Sequence, residues 1–338
     1  MHERILAVSL WQTGNATAGD WVVEFPFATR LIGLKHSGSN GSKTSTIAVS
    51  GGATLSAVTI GNSGNPTWTE PDTVPDFAAA DVAYTFSIAS GTAIDDPMIL
   101  AFFAIGDDAA HAGLAPGENC VAVCIMETGT AVTAAYYVEF PFPTRLLGIK
   151  HSVSDAGKNS TITVAGGATL SAATFGLSGN PTWTEPDTVP DFAGSDTVYT
   201  VTLTEGDTPG NDPLALLFFA TGEGGSNFDG FPELTLVTNV CQVGSATTAG
   251  WVLEFPWPVR LVGSKTCGSD TGTSTLTFAD GVVNAATVIG VSGDPAFTKP
   301  TTVPDYCAKD TAITETLTQT GSRSDDPMII NIWQIGEG

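Results

Sequence analysis

Polar and apolar positions alternate in short runs along this chain. Thr44–Ser50 (TSTIAVS) and Ala53–Ile60 (ATLSAVTI) carry the two-residue period of a strand with one face covered. Trp21–Phe27 (WVVEFPF) and Thr29–His36 (TRLIGLKH) are β-branched and aromatic, and Pro26 confines the first to a strand end or an edge. Ala83–Ala89 (AYTFSIA) reads as another strand. Met98–Ile105 (MILAFFAI) is apolar on both faces, which places it centrally between packed layers. The SGSNGSK turn predicts a β-hairpin between Thr29–His36 and Thr44–Ser50. No amphipathic helical period occurs. Roughly six to eight short strands, with turn signals about every 8–12 residues, spell an antiparallel β-sandwich or jelly roll.

One segment fits no strand pattern. Pro66–Phe77 (PTWTEPDTVPDF) is too rich in proline for a central strand or a helix, and reads as an extended loop pinned by Trp68 and Phe77. It returns unchanged at Pro181–Phe192, and as PAFTKPTTVPDY at Pro295–Tyr306. Other blocks keep the same spacing. EFPF at Glu24–Phe27 recurs at Glu139–Phe142 and as EFPW at Glu254–Trp257. RLIGLK at Arg30–Lys35 recurs as RLLGIK at Arg145–Lys150 and RLVGSK at Arg260–Lys265. A period of about 115 residues is too long for a solenoid and has the size of a self-sufficient domain. The expectation is therefore an all-β chain of three tandem antiparallel β-sandwich, jelly-roll-like domains. Their expected bounds are 1–107, 118–223 and 233–338, the third diverged, joined by Gly- and Pro-rich linkers at 108–117 and 224–232.

Composition adds a charge problem. The 338 residues hold 35 acids against 12 bases, a net charge of −23 that repels nucleic acid and anionic membranes. The chain has no run long enough for a membrane span and no secretory signal pattern at its N-terminus. The 5 cysteines lack zinc-site spacing and read as reduced, buried residues.

Candidate chemistry is sparse. His36 and His151 are equivalent, the third repeat has Thr266 there, and no nucleophile elbow accompanies them; they read as surface residues at strand ends. Recurring acids (Asp76, Asp191, Asp305; Asp96, Asp212, Asp326) sit beside proline and read as turn residues rather than a calcium site or a glycosidase couple. No catalytic residue, metal site or cofactor site is assigned. The repeated bases are more informative. Arg30, Lys35, Arg145, Lys150, Arg260 and Lys265 are half of all the bases, and Glu24, Glu139 and Glu254 recur with them. Two readings stand: ion pairs within each repeat, such as Glu24 with Arg30, or a ring in which each repeat's base meets its neighbour's acids. Trp68, Trp183 and their counterpart Phe297 are either loop anchors or a glycan-contact shelf.

The stretch VEFPFPTRLLGIKHSVSDAGKNSTITVAGG (Val138–Gly167) resembles the β-sandwich units of tailed-bacteriophage virion proteins: an apolar-entry strand, a Gly/Ser/Thr-rich turn, then a TxTV-like strand. The resemblance implies a non-enzymatic structural part of a virus particle, made in the host cytoplasm. Such a part is a capsid decoration or cement protein, a minor capsid protein, or a tail or fibre component. Its partners would be the major capsid protein, other virion proteins or further copies of itself. Fused triplication would make a single-chain pseudo-trimer. The rival readings are a glycan-binding tail adhesin and a glycan hydrolase.

Overall fold

The computed structural model describes residues 4–40, 43–62, 67–73, 76–106, 118–177, 180–188, 191–221, 235–270, 272–279, 284–291, 296–301, 306–319 and 325–336. Both expected linkers lie outside the described residues. The first repeat holds β1 (Arg4–Trp11), β2 (Gly19–Val23), β3 (Thr29–Ser37), β4 (Thr46–Gly51), β5 (Leu55–Thr59), β6 (Thr67–Thr69), β7 (Tyr84–Ala89) and β8 (Met98–Ile105). The second holds β9 (Asn119–Met126), β10 (Ala134–Val138), β11 (Thr144–Val153), β12 (Thr161–Gly166), β13 (Leu170–Thr174), the short β14 (Gly176–Leu177), β15 (Thr182–Thr184), β16 (Tyr199–Thr204) and β17 (Leu214–Thr221). The third holds β18 (Thr235–Cys241), β19 (Ala249–Leu253), β20 (Val259–Cys267), β21 (Thr275–Ala279), β22 (Asn284–Val288), β23 (Ala296–Thr298), β24 (Ile313–Thr318) and β25 (Met328–Ile335).

Each repeat forms two facing sheets. In the first the orders are β1-β8-β3-β6 and β2-β7-β4-β5. The third repeats this as β18-β25-β20-β23 and β19-β24-β21-β22. The second has β10-β16-β12-β13 opposite β9-β17-β11, whose free edge carries β15 and β14. This is the eight-strand jelly-roll order, in which the first and last strands are neighbours and the chain passes between sheets at most steps. The chain is thus all-β, three antiparallel jelly-roll sandwiches in tandem.

The expected hairpin between Thr29–His36 and Thr44–Ser50 does not form. Both edges of β3 are occupied, by β8 along its length and by β6 at Leu34–His36. The chain therefore leaves this sheet after Ser37, and β4 pairs β5 and β7 in the other. The proline-rich segment contributes only the three-residue β6, at a sheet edge where missing N–H donors are tolerated. The strand predicted over Trp21–Phe27 ends at Val23, ahead of Pro26.

β8 lies between β1 and β3 with all its residues buried, and its two apolar faces serve different partners. Phe103 packs into its own sandwich against Phe25 and Tyr84. Phe102 points the other way, onto Phe255 and Trp257 of the third repeat. In the second repeat Phe219 meets Phe140 at home, whereas Phe218 meets Phe25 and Phe27 of the first repeat. The apolar core is consequently continuous through all three repeats.

The strands β1, β9 and β18 pack against one another. Residues at the same repeat position touch there. Trp11 Nε1 donates to the Cys241 carbonyl at 2.9 Å, and Trp11 N lies 3.5 Å from Met126 Sδ. Asn239 Oδ1 accepts from Cys124 N at 2.9 Å, and Asn239 N donates to Ser9 Oγ at 3.2 Å. Equivalent residues of three repeats can all meet only around an axis, so the three sandwiches surround a pseudo-threefold axis.

Candidate functional site: the ring between repeats

The EFPF turn follows β2. Phe25 and Phe27 enter the core, so the chain kinks at Pro26 and Glu24 turns outward, toward the neighbouring repeat. A second acid is brought beside it. Asp81 adopts a left-handed conformation (φ 62°), which Asp tolerates better than most residues, and its N–H donates to the Phe25 carbonyl at 2.9 Å. Asp196 (φ 61°) and Asp310 (φ 59°) repeat this on Phe140 and Phe255.

Into each pair of carboxylates projects a lysine from the next repeat. Lys150 Nζ lies 2.7 Å from Glu24 Oε2 and 2.8 Å from Asp81 Oδ1. Lys265 bridges to Glu139 and lies 2.8 Å from Asp196. Lys35 bridges to Glu254 and lies 2.9 Å from Asp310, closing the circle. The lysines and glutamates are buried while the aspartates face solvent. At Lys265 burial opposes the charge, but the hydrogen bonds and charges of Asp196 and Glu139 outweigh it, and its pKa rises. Each bridge joins two repeats, so together they form a directional ring.

The arginines go elsewhere. The bulge in β3 between Leu31 and Gly33 separates Arg30 from Lys35. The Arg30 guanidinium lies 5.4 Å from the centre of the Phe77 ring, Arg145 5.4 Å from Phe192, and Arg260 5.3 Å from Tyr306. These three aromatics are among the most exposed large apolar residues described, at 41%, 38% and 40%. Arg145 also pairs with Glu118 at 2.8 Å, and Arg260 Nε donates to Gln334 at 2.8 Å. Of the two readings of the repeated bases, the geometry thus joins each Glu to a Lys of another repeat.

Trp68 and Trp183 fold back onto β3 and β11. A Cβ on Gly33 or Gly148 would fall 2.4 Å from the indole, so glycine is what lets the ring lie flat there. Trp68 Nε1 donates to Glu70 at 3.1 Å and Trp183 Nε1 to Glu185 at 3.3 Å. Phe297 takes the same seat over Gly263, with Lys265 Nζ 5.5 Å from its ring centre.

The histidines are not surface residues. His36 and His151 are each 1% exposed, because β6 and β15 cover the edges of β3 and β11. Gly61 N donates to His36 Nδ1 at 3.3 Å, which leaves Nε2–H for Thr69 Oγ1 at 2.9 Å. His151 Nε2 lies 2.9 Å from Thr184 Oγ1. Burial, with the adjacent Lys35 or Lys150, lowers both to about 4, so both are neutral at pH 7. Asp96, Asp212 and Asp326 sit at turns (φ 45–47°) and accept from Gly14, Gly129 and Gly244 N–H at 2.7 Å. Asp76 and Asp191 are exposed, and Asp305 lies outside the described residues. The five cysteines are free and buried.

One end of the axis opens into a cavity of about 320 Å³ lined by Trp11, Gln12, Met126, Glu127, Cys241 and Gln242, among others. Gln12 and Gln242 each accept a backbone N–H at 2.8 Å. Glu127 takes their place in the second repeat, accepting from Val132 N and Tyr136 Oη at 3.1 Å. Burial pushes its carboxyl up to about 7 against those hydrogen bonds.

Sequence reading missed Asp81, Asp196 and Asp310. They recur at the repeat period, but in polar loops whose neighbours differ (AADVAY, GSDTVY, AKDTAI), so no block marks them.

No protein-family model matches the sequence, and no curated protein matches it significantly. Several solved structures resemble it, among them two of viruses. One is the triple jelly-roll fold and turret assembly of an archaeal virus, at 10% identity and a TM-score of 0.21, covering 99% of this chain and 91% of that one. The other is the atomic structure of Sulfolobus turreted icosahedral virus, at 12% identity and a TM-score of 0.21, covering 96% of this chain and 85% of that one.

Proposed function

We propose that this chain is a virion structural protein that acts as a ready-made trimer: a capsid decoration, cement or minor capsid protein seated at a threefold or quasi-threefold position of a shell. The observation that carries the reading is the ring of Lys–Glu–Asp bridges around the pseudo-threefold axis. Jelly rolls are the building blocks of capsids and also of lectins and cupins, so the strand order alone does not choose among them. The ring supports the capsid reading. Among the described residues, three equivalent lysine bridges are spent on holding three sandwiches in one threefold body. The expected bounds of 1–107, 118–223 and 233–338 are proposed as its three domains.

The mechanism is adhesive. Partners are the major capsid protein or other virion proteins, or further copies of the chain. The three Arg-backed aromatics Phe77, Phe192 and Tyr306 offer each repeat the same exposed contact type, enriched in protein interfaces. The net charge of −23 argues against nucleic acid and anionic membrane as partners.

Counting the chain in purified particles tests this. Many copies per shell, in proportion to threefold-type positions, are expected. A count matching a single tail or portal ring would overturn the shell position, and absence from particles would overturn the virion role. The adhesin reading needs an aromatic shelf, and the half-buried Trp68 and Trp183 lie folded onto Gly33 and Gly148 instead.

A further inference from the structure

The third sandwich differs from the other two at one spot in its core. Ser264 on β20 stands directly opposite Asn331 on the neighbouring β25. The matching cross-strand pairs in the other repeats are Leu34 with Ala101 and Ile149 with Leu217. From the facing sheet Glu315 on β24 takes the place held by Phe86 and Val201. All the counterparts belong to the apolar core. Three polar side chains have thus replaced apolar ones together, and Ser264, Glu315 and Asn331 are each 0% exposed.

They are in contact as a chain. Ser264 Oγ donates to Asn331 Oδ1 at 2.8 Å, and Asn331 Nδ2 donates to Glu315 Oε2 at 3.0 Å. Glu315 Oε1 is buried with no hydrogen-bond partner among the described residues. A polar cluster that leaves one carboxyl oxygen unpaired is a poor device for stability alone. It is well composed for chemistry: a hydroxyl beside an amide carbonyl, and a carboxyl on the amide nitrogen, fixed by neighbouring strands and shut off from water.

We propose that Ser264 and Asn331 form an intrachain ester cross-link, with Glu315 as the proton shuttle. Ser264 Oγ adds to the Asn331 side-chain carbonyl carbon, and its O–H bond breaks as the proton passes to Oδ1, to which it is already hydrogen-bonded. The neutral Glu315 carboxyl then gives a proton to Nδ2 and recovers the one on the adduct's oxygen. The C–N bond breaks, the C–O ester remains and ammonia leaves. Glu315 is regenerated, and no oxidant or cofactor is consumed. Burial holds Glu315 up at about 7, which keeps an acid form populated near neutral pH. The same burial keeps out the water that would hydrolyse the ester. The link would lock β20 to β25 in a chain whose cysteines are all free.

Intact-mass measurement on the denatured full chain tests this directly. The expected mass is lower than the sequence by one ammonia, and a digest should contain one branched peptide joining the segments with Ser264 and Asn331. Hydroxylamine on the unfolded chain should separate them and leave a hydroxamate at position 331. Ser264→Ala and Glu315→Gln should each restore the full mass. A wild-type chain at full sequence mass would overturn the proposal whether or not the variants fold. So would an ammonia loss that survives Ser264→Ala, because it would belong to another asparagine.

Discussion

Lys150 Nζ of the second repeat lies 2.7 Å from Glu24 Oε2 of the first, with both side chains buried. Its two counterparts, Lys35 with Glu254 and Lys265 with Glu139, complete a ring in which every repeat gives one lysine and receives another. An isolated buried ion pair often adds little over a well-packed apolar pair, because desolvation offsets attraction. Here each amine has a second acid at the solvent boundary, which spreads the charge and gives the lysine a second acceptor. The apolar contacts of Phe102 and Phe218 run in the same direction around the axis, so the bridges fix an order that the core also favours.

Removing one partner leaves the other charge buried without its neutraliser. Lys150→Met should lower stability by about 3–5 kcal/mol, and Glu24→Leu on the same chain should recover much of that loss. Chemical denaturation of the single and double variants measures the coupling. A loss of less than about 1 kcal/mol for Lys150→Met would put the bridge in the class of surface pairs and remove its role in holding the repeats.

The seat of Trp68 makes a sharper steric test. A methyl group on Gly33 would sit 2.4 Å from the indole and 3.0 Å from the Thr69 carbonyl. Gly33→Ala should therefore push Trp68 off β3, at a cost of about 1–3 kcal/mol. Its fluorescence should shift toward that of an exposed indole. An unchanged spectrum and an unchanged unfolding midpoint would show that the proline-rich segment is not anchored this way.

The repeats, the all-β class and the central place of Met98–Ile105 were legible because they depend on local pattern and on spacing. What escaped depended on contacts far apart in sequence. Nothing local in SGSNGSK separates a hairpin from a crossing between sheets; that is decided by β8, some sixty residues on, taking the edge of β3. His36 looked exposed because it ends an apolar strand, and it is buried because the proline-rich segment returns to cover it. The recurrence of Glu24 and Lys35 was visible, but their pairing across repeats follows from the axis. The polar core of the third repeat left no mark at all, since Ser264, Glu315 and Asn331 are ordinary strand residues taken one at a time.

The two buried histidines set a pH dependence. Their pKa is lowered from 6.5 to about 4 in the folded chain, so the unfolded chain binds more protons between these values. The stability they confer is complete above pH 6.5 and is lost as pH falls toward 4, by about 3 kcal/mol for each residue. Glu127 and Glu315, raised to about 7, act in the opposite sense and gain stability as pH falls from about 7 toward 4.5. These contributions oppose one another, so the histidine part must be isolated by difference. The stability gap between wild type and His36→Gln/His151→Gln, measured by urea unfolding, should shrink steadily from pH 7 to pH 4. A gap independent of pH would mean that the imidazoles titrate normally.

At the axis the three repeats are not interchangeable, and Asn239 is the reason. Its amide spans Cys124, accepting from the backbone N–H at 2.9 Å and donating to the carbonyl at 2.5 Å. Ser9 and Cys124, at the same position in the other repeats, are too short to make that double contact. Asn239→Ala would leave two buried backbone groups unpaired, costing about 1–3 kcal/mol for each. Asn239→Asp keeps the acceptor but loses the donor and brings a charge into the apolar centre, so it should be at least as damaging at pH 7 and milder once protonated. Ser9→Ala, whose hydroxyl meets one N–H of Asn239, should cost less than either. Thermal unfolding at pH 7 and pH 4 ranks the three variants. If all three cost the same, Asn239 is filling space at the axis rather than holding the repeats together.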